Sequence, residues 1–360
     1  MIATRRQWAQ LSRPLQVAIS SWVVARMFLG TGWIIARVVR PDSFQVHRGL
    51  FAWDGGWYQE IAQIGYGHRP LAIRFFPLFP MSARWLPDTL AGPFLVVVAN
   101  AAALLAAYLL YRSLTQLGIA SLAAERAVWI FALWPASLVL GLAYSESLFI
   151  VFVLTATKSV EQGRSLPAFA AAMAAALTRS LGVLLVVFAA VAIIRRSGKQ
   201  QRAAVAMAIG ATSGLVAFLG WTEAAGYGWR APSDAQRSFR GDLVDPFRGV
   251  GRIVVDFFGR SILDGLHLPF VVFALLALFW MHQHFTPEYT ALAGSIIAIS
   301  LTGQSANSFE RYLLMAPWLF AAIAITSLDW PPRWWKASLA FTSICFVGMT
   351  TLVFMAEYVP

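Results

Sequence analysis

The sequence has few charged residues. Asp, Glu, Lys and Arg make up only 12% of its 360 residues, whereas 59% of the residues are hydrophobic. Soluble domains carry about twice that share of charge, so the composition excludes an ordinary soluble protein. We predict a single integral membrane domain over residues 1–360, with an all-α fold in which helices cross the membrane as a bundle.

Cysteine is almost absent. Cys345 is the only one and lies within the last apolar run, which excludes an intrachain disulfide. No spacing of histidine and cysteine resembles a structural zinc site, and His282 and His284 form only an isolated pair in a short loop. We therefore expect no cofactor and no required metal, although an assisting divalent ion stays open.

The basic residues are not gathered into one patch. A net charge of +11 would suit a nucleic-acid partner. The arginines and lysines are, however, scattered in short groups between apolar runs, which is the pattern of membrane loops. We expect membrane lipids as partners, and no nucleic acid.

Long apolar runs predict the transmembrane helices. A span needs roughly 17–25 predominantly apolar residues, and the chain has about eleven such runs. The first, over 15–39, follows Arg5, Arg6 and Arg13; it is too long for the apolar core of a signal peptide, so we interpret it as a retained helix. The predicted helix centres are Arg26, Leu104, Leu133, Phe152, Ala172, Val187, Ser213, Phe273, Ala293, Ala321 and Ser343.

Lysine is much rarer than arginine, and the positions of the lysines predict the orientation of the chain in the membrane. With the N-terminus in the cytoplasm, Lys158, Lys199 and Lys336 all fall in short cytoplasmic loops. The loops that contain most of the other polar clusters then emerge together on the extracytoplasmic side. These are residues 40–90, 144–147, 178–181, 223–263 and 304–311.

Two of these external loops contain amphipathic stretches. Trp57, Tyr58, Ile61 and Ile64 are spaced as on one face of a helix, which predicts a short interfacial helix that starts near Asp54. Gly65 or Gly67 would end it. The long loop, 223–263, predicts a second interfacial helix after an irregular segment between Tyr227 and Pro246. Its apolar stripe is Val250, Ile253, Val254, Phe257, Phe258 and Ile262, and its charged face is Arg252, Asp256, Arg260 and Asp264.

The first external loop holds one acidic residue among aromatics, glycines and arginines. Asp54 stands at the start of the predicted helix, where an aspartate accepts hydrogen bonds from free backbone amides. It could also act as a general base, because partial shielding from water would raise its basicity toward what a hydroxyl nucleophile requires. The two roles are compatible.

Several motifs resemble those of the PIG-V-like mannosyltransferases, the family of GPI mannosyltransferase 2. The most specific are Trp53-Asp54-Gly55-Gly56-Trp57-Tyr58, Gly65-Tyr66 and Phe75-Phe76-Pro77-Leu78-Phe79-Pro80. Tyr144-Ser145-Glu146-Ser147, Thr178-Arg179-Ser180 and Phe309-Glu310-Arg311-Tyr312 follow in the family's order.

This resemblance implies a C-class (GT-C) polytopic glycosyltransferase. Its members take mannose from a polyprenyl-phosphate carrier at an active site outside the cytoplasm and invert the anomeric centre. The resemblance assigns the catalytic aspartate to Asp54. It leaves the acceptor open beyond a lipid-linked or membrane-associated molecule. The alanine and arginine content suggests a bacterial cytoplasmic membrane.

Arginines are the expected ligands of the donor phosphate. A guanidinium donates two parallel hydrogen bonds to phosphate oxygens, so a lipid monophosphate does not demand a metal. The alternative for each arginine is anchoring to lipid headgroups. Arg179 and Arg311 are favoured because each lies in a shared motif, and the further candidates are Arg69, Arg74 and His68.

Aromatic and acidic residues are candidates for sugar and acceptor binding. An interfacial aromatic belt or structural ion pairing would explain them equally. These candidates are Trp53, Trp57, Tyr58, Tyr144, Glu146, Glu310 and Tyr312. Phe75, Phe76 and Phe79 suit one wall of a groove for the isoprenoid tail. Arg26, a charge near the middle of the first span, should face the bundle with a partner that the sequence does not identify.

Two other functions fit the same sequence. One is transfer of another sugar, such as arabinose or glucose, from the same kind of carrier. The other is a lipid or glycolipid transporter whose external loops form a gate. A transporter often has an inverted repeat, and we find no internal repeat.

Overall fold

A computed structural model describes residues 11–259, 265–304 and 306–360. Across these ranges the chain forms α-helices linked by short 3₁₀ turns, with no β-strand beyond one isolated bridge between Leu243 and Gly303. The all-α prediction is confirmed. Outside the described residues lie Arg5 and Arg6 of the N-terminal segment, and Arg260, Ile262 and Asp264 of the second predicted interfacial helix.

The α-helices of the described ranges are numbered in chain order. They are α1 (Arg13–Val39), α2 (Phe44–Arg48), α3 (Asp54–Ile64), α4 (Leu78–Met81), α5 (Asp88–Gln116), α6 (Ser121–Leu133), α7 (Glu146–Glu161), α8 (Ser165–Thr178), α9 (Leu185–Arg195), α10 (Gly198–Ala224), α11 (Ala231–Arg240), α12 (Pro246–Gly259), α13 (His267–His284), α14 (Pro287–Ser300), α15 (Phe309–Leu313), α16 (Trp318–Thr326) and α17 (Pro332–Phe354). The 3₁₀ turns are Gly49–Phe51, Pro70–Arg74, Pro135–Gly141, Ser180–Leu184 and Ser327–Asp329.

Every predicted helix centre lies in one of these helices, but the count of eleven spans is not confirmed. Within the described residues, five helices (α1, α5, α10, α13 and α17) are long and apolar enough to cross a membrane. A sixth span arises if α6 and Pro135–Gly141, which meet at a 77° bend, are counted together. Proline at position 135 explains the break, because it cannot continue a helix without losing a hydrogen bond. The shorter apolar helices have 10–17 residues.

Small residues bring α8 and α10 into close contact. A Cβ atom at Gly210 would overlap the carbonyl oxygen of Phe169, so only glycine fits there. Ala168, Ala172 and Ala175 on α8 are fully buried. Close backbone approach of this kind is how helices associate in lipid. The contact fixes α8, whose C-terminal end carries Arg179.

Arg26 has its partners at the broken helix. Its Nε donates to Oδ1 of Asn100 at 2.6 Å, and Nη2 donates to the carbonyl oxygen of Leu140 at 2.7 Å. The amide of Asn100 also donates to the carbonyl of Gly141 at 3.1 Å. Arg26 and Asn100 therefore each satisfy one carbonyl group at the end of the Pro135–Gly141 turn.

The two ends of the bundle differ in their polar groups. At one end, Arg196 holds Glu161 at 2.6 Å and Glu288 at 2.9 Å. Lys158 and Lys199, which the sequence placed in loops, lie here in the last turn of α7 and the first turn of α10. At the opposite end lie parts of all five loops that the sequence analysis assigns to the extracytoplasmic side. Which side of the membrane this end faces remains a prediction.

The helix predicted in the first loop is present as α3, and Gly65 ends it with φ of +81°. Its apolar face lies against protein and not against lipid, because Tyr58 and Ile61 are buried beneath α4 and α5. The interfacial placement predicted for this helix is therefore corrected.

The long loop is more regular than the sequence suggested. Helix α11 occupies the segment expected to be irregular, with Pro232 in its first turn and Gly241, at φ of +71°, after its end. Here the proline lies at the start of a helix and the glycine at its end, and neither interrupts it. Helix α12 exposes Phe247 and Phe258 and buries Ile253, as an interfacial helix would.

Candidate active site

A cavity of about 1000 Å³ opens at the end of the bundle that holds the first external loop. Its walls come from α3, α11, α15 and the segments around Arg74 and Arg179. The charged residues among its lining are unbalanced. They are seven arginines, Arg48, Arg69, Arg74, Arg179, Arg237, Arg240 and Arg311, and two carboxylates, Asp54 and Glu60.

Asp54 directs its carboxylate toward arginines. Oδ2 accepts a hydrogen bond from Nη1 of Arg311 at 2.8 Å, and Oδ1 lies 3.7 Å from Nη2 of Arg74. Asp54 is the first residue of α3, and its side chain makes no capping hydrogen bond. Its backbone N–H donates to the phenol oxygen of Tyr144 at 3.2 Å. The Asp54 carboxylate thus pairs with Arg311 and Arg74 in the cavity, and the predicted capping role is not observed.

Trp53 fixes the backbone in front of Asp54. It has φ of +52°, a left-handed value that costs a residue with a side chain about 1 kcal/mol or more. Two hydrogen bonds hold it there. The indole N–H donates to the carbonyl of Val353 at 3.0 Å, and the backbone N–H donates to Oε1 of Gln45 at 2.9 Å.

Glu146 joins two of the arginines. Its Oε1 accepts from Nη1 of Arg179 at 2.7 Å and lies 3.3 Å from Nε of Arg311. Arg179 also donates to the hydroxyl of Ser145 at 3.1 Å. Glu146 is completely buried and does not line the cavity. We therefore correct the sugar-binding role considered for it: the carboxylate orients guanidinium groups.

The arginines set the protonation state of Asp54. Burial alone would raise the pKa of this carboxyl, but the charges of Arg311, Arg74 and Arg179, together with the hydrogen bond from Arg311, hold its pKa below the ordinary value. The sequence led us to expect a raised basicity. That expectation was wrong because it counted shielding from water and not the arginines brought in from distant loops.

Aromatic rings separate the arginines at the mouth of the cavity. The guanidinium carbon of Arg74 lies 3.4 Å from the ring centroid of Phe239, and that of Arg240 lies 4.4 Å from the ring of Tyr312. Arg240 also donates to the backbone carbonyl of Asn307 at 2.9 Å. Such stacking holds a planar cation in place without neutralising it. Sequence reasoning missed Arg48, Arg237, Phe239 and Arg240; the amphipathic stretch Ala235-Gln236-Arg237-Ser238-Phe239-Arg240 was the available signal.

Most of the predicted site residues line this cavity. Arg69 does so while paired with Glu60 at 2.9 Å and placed 5.2 Å from the ring of Trp57. Of the apolar wall, Phe75 and Phe76 line the cavity and Phe79 is buried behind it, against Tyr58. The predicted residues in the lining are Asp54, Arg69, Arg74, Arg179, Arg311, Trp53, Trp57, Tyr58, Tyr312, Phe75 and Phe76.

Three further candidates do not reach the cavity lining. His68 is exposed outside it, and Tyr144 is fully buried behind Asp54. Glu310 is buried too, where it pairs with His267 at 3.0 Å and accepts a hydrogen bond from Tyr358. We therefore correct the direct substrate contacts predicted for these three residues. From within the protein, Tyr144 accepts a hydrogen bond from the backbone of Asp54. Glu310 anchors the short helix that also carries Arg311.

The described residues contain no group of three His, Cys, Asp or Glu side chains arranged to hold a metal ion. The arginines supply the positive charge of the cavity by themselves. Independence from metal remains a prediction.

A comparison with protein families bears on this constellation. Residues 37–202 match the family Mannosyltransferase (PIG-V). The matched segment contains Asp54, Arg74, Glu146 and Arg179, and it ends before Arg311. The resemblance inferred from the motifs is confirmed, and the PIG-V match supports a glycosyltransferase.

Comparison with solved structures gives one example of a match. The crystal structure of the Archaeoglobus fulgidus oligosaccharyltransferase, tethered to an acceptor peptide that contains the NVT sequon, aligns with a TM-score of 0.48 and 13% sequence identity. The alignment covers 98% of this chain and 56% of the archaeal chain. A search of curated proteins finds no match.

Proposed function

We propose that this chain transfers mannose from a polyprenyl-phosphate-mannose donor to a lipid-linked or membrane-associated acceptor, with inversion and with Asp54 as general base. The observation that carries the proposal is the hydrogen bond between Asp54 and Arg311 in a cavity lined mainly by arginines. It supports the proposal because the reaction needs a carboxylate as base and positive charge beside the leaving phosphate. The PIG-V match supports mannose as the sugar.

The transfer is a single displacement. The acceptor hydroxyl oxygen attacks the anomeric carbon of mannose and forms the new glycosidic bond. The bond between that carbon and the phosphate oxygen breaks, and its electron pair leaves with polyprenyl phosphate. Asp54 takes the hydroxyl proton. Attack opposite to the leaving phosphate inverts the anomeric centre, and no redox partner is needed.

Donor binding would prepare the base. Arg311 donates a hydrogen bond to Asp54 at 2.8 Å, which weakens the carboxylate as a proton acceptor. A donor phosphate that recruits Arg311, Arg179 and Arg74 adds negative charge beside Asp54 and shares its hydrogen-bond donors. Both changes raise the pKa of Asp54. The base would therefore strengthen only when the donor is in place.

The donor's lipid tail needs an apolar exit. Leu181, Leu215, Leu219 and Ile299 line the cavity together with the arginines. Their side chains offer an isoprenoid chain a hydrophobic surface that continues from the polar centre. We place this end of the molecule outside the cytoplasm, because Lys158 and Lys199, at the ends of α7 and α10, lie at the other end.

The test is a transfer assay with the purified chain in detergent. Wild type should form labelled glycolipid from polyprenyl-phosphate mannose and a membrane lipid extract. Asp54→Asn should lose transfer by about 10²–10⁴-fold while it still binds donor. Asp245→Asn, at an exposed pair with Arg248, is the matched control and should retain activity. Near-normal turnover by Asp54→Asn would overturn the proposal.

The same assay separates the sugars. Donors that carry arabinose or glucose on the same polyprenyl phosphate compete directly with the mannose donor. Faster transfer of either sugar would replace mannose in the proposal. A chain that moves labelled lipid across vesicle membranes but forms no product with any donor would be a transporter.

A further inference from the structure

The segment that follows α17 reaches the active-site cavity. Helix α17 ends at Phe354, and a few residues later Val359 and Pro360 line the cavity. Tyr358, beside them, is buried and does not line it. The family match ends at residue 202, and none of the sequence motifs includes this segment. It is therefore a part of the cavity wall that the sequence did not indicate.

The end of α17 holds the backbone in front of Asp54. The indole N–H of Trp53 donates to the carbonyl of Val353 at 3.0 Å. The hydroxyl of Ser43 donates to the carbonyl of Phe354 at 2.6 Å. The last carbonyl groups of a helix lack partners within the helix, so they are free to accept such bonds. The first external loop is thereby fixed to the end of the last helix.

The residues after α17 hold the helix that carries Arg311. The hydroxyl of Tyr358 donates to Oε1 of Glu310, and Nδ1 of His267 lies 3.0 Å from Oε2 of the same carboxylate. The indole N–H of Trp134 donates to the backbone carbonyl of Glu310 at 3.0 Å. Glu310 and Arg311 are neighbours in a helix of only five residues. Buried contacts that fix Glu310 therefore also fix the direction in which the Arg311 side chain leaves the helix.

Strained backbone occurs at the same places. Within the described residues, the non-glycine residues with positive φ are Trp53 at +52°, Ser308 at +69° and Ala356 at +63°. They lie before Asp54, before α15 and after α17. Such values are uncommon for residues with side chains and persist only where surrounding contacts enforce them. One such contact is the Ser308 hydroxyl, which donates to the carbonyl of Pro360 at 2.5 Å.

We propose that residues 353–360 form a positioning segment for the active site, and that Tyr358 is its principal positioning residue. The segment holds Asp54 through Trp53, and it holds Arg311 through Glu310. Asp54 and Arg311 are 257 residues apart in the chain, so their hydrogen bond requires that both backbones are fixed to a common element. The kinetic consequence rests on the proposed function, in which a small displacement of either group slows transfer.

The first test is the variant Tyr358→Phe, which removes the hydroxyl and keeps the ring. Its kcat/KM for transfer should fall about fivefold or more, because Glu310 loses a hydrogen-bond donor and α15 shifts. The matched control is Tyr289→Phe, which removes the hydrogen bond from another buried tyrosine to Glu161, at the opposite end of the bundle. Both variants should lower Tm, but the control should keep kcat/KM within about twofold of wild type.

A double variant tests whether Tyr358 acts through Arg311. In an Arg311→Lys background, Tyr358→Phe should change kcat/KM by less than about twofold, because the guanidinium that it positions is already gone. The same fivefold loss in that background would overturn the proposal. An equal loss of kcat/KM in Tyr358→Phe and Tyr289→Phe would also overturn it, since both would then act through stability alone.

A stability cycle needs no substrate. Asp54→Asn should lower Tm less in the Tyr358→Phe background than in wild type, because the partner of Asp54 is then less well placed. In the Tyr289→Phe background its effect should be unchanged. Fully additive changes in Tm for Asp54→Asn and Tyr358→Phe would contradict the positioning role.

A second variant keeps both tests decisive if Tyr358→Phe does not fold. Ser308→Gly removes the hydroxyl that contacts Pro360, and glycine adopts a positive φ without steric cost. It should show the same loss of kcat/KM and the same coupling to Asp54→Asn, and their absence would overturn the proposal. Absence of mannose transfer by wild type would instead count against the proposed function, and the stability cycle would still decide the positioning segment.

Discussion

Nη1 of Arg311 lies 2.8 Å from Oδ2 of Asp54, although 257 residues separate the two in the chain. Asp54 comes from the first loop and Arg311 from a helix near the end of the sequence. Glu146, in the middle of the chain, holds the other side of the same guanidinium at 3.3 Å. The site is thus an electrostatic unit assembled from three distant segments, and each of its members can be tested separately.

The guanidinium shape of Arg311 should matter as much as its charge. Arg311→Lys keeps the charge but cannot contact Asp54, Glu146 and a phosphate in one plane. We expect kcat/KM for transfer to fall about 10- to 100-fold, the cost of one or two charge-assisted hydrogen bonds. Arg13→Lys, at an exposed pair with Glu125, should leave kcat/KM unchanged. Equal kcat/KM for Arg311→Lys and wild type would contradict the phosphate role.

Glu146 should contribute strongly to stability. Glu146→Gln leaves Arg179 and Arg311 without their shared buried carboxylate, and breaking a buried ion pair on one side costs about 3–5 kcal/mol. Thermal unfolding in detergent should show a clear decrease in Tm. Glu60→Gln breaks the mostly exposed pair with Arg69 and should cost less than about 1 kcal/mol. Similar Tm values for the two variants would refute the role assigned to Glu146.

Asp54 should stabilise the folded chain at neutral pH and lose that effect in acid. Arginine charges hold its folded pKa below the unfolded value of about 3.9. Its contribution is therefore complete above the unfolded pKa and disappears as pH falls through the folded pKa. The difference in Tm between wild type and Asp54→Asn should be constant from about pH 7 to 5 and shrink below about pH 4. A difference that shrinks as the pH rises would show the opposite shift.

The sequence predicted the parts of the site that lie in recognisable motifs. Asp54 stood out because one carboxylate among aromatics and glycines is unusual in an apolar chain. Arg179 and Arg311 could be grouped with it because the positive-inside pattern placed their loops at the same end. The arginines of α11 were missed, since prolines and glycines at the ends of a short polar helix resemble those of a loop.

The sequence could not give the relations that depend on tertiary distance. Glu146 and Glu310 resembled substrate ligands, because their burial and their pairing with Arg179 and His267 are not encoded in local spacing. The pKa of Asp54 was predicted in the wrong direction for the same reason. The count of eleven spans is not confirmed, because proline and 3₁₀ turns interrupt some apolar runs and hydropathy alone does not register a bend.

The indole of Trp53 is anchored on the backbone of the last helix, at Val353. During synthesis the motif around Asp54 leaves the ribosome about 300 residues before that anchor does. Until α17 has been made, the strained backbone at Trp53 has only its hydrogen bond to Gln45, and Arg311 emerges almost as late. The contacts of Trp53 and Asp54 with the end of the chain can therefore form only after nearly the whole chain has been made.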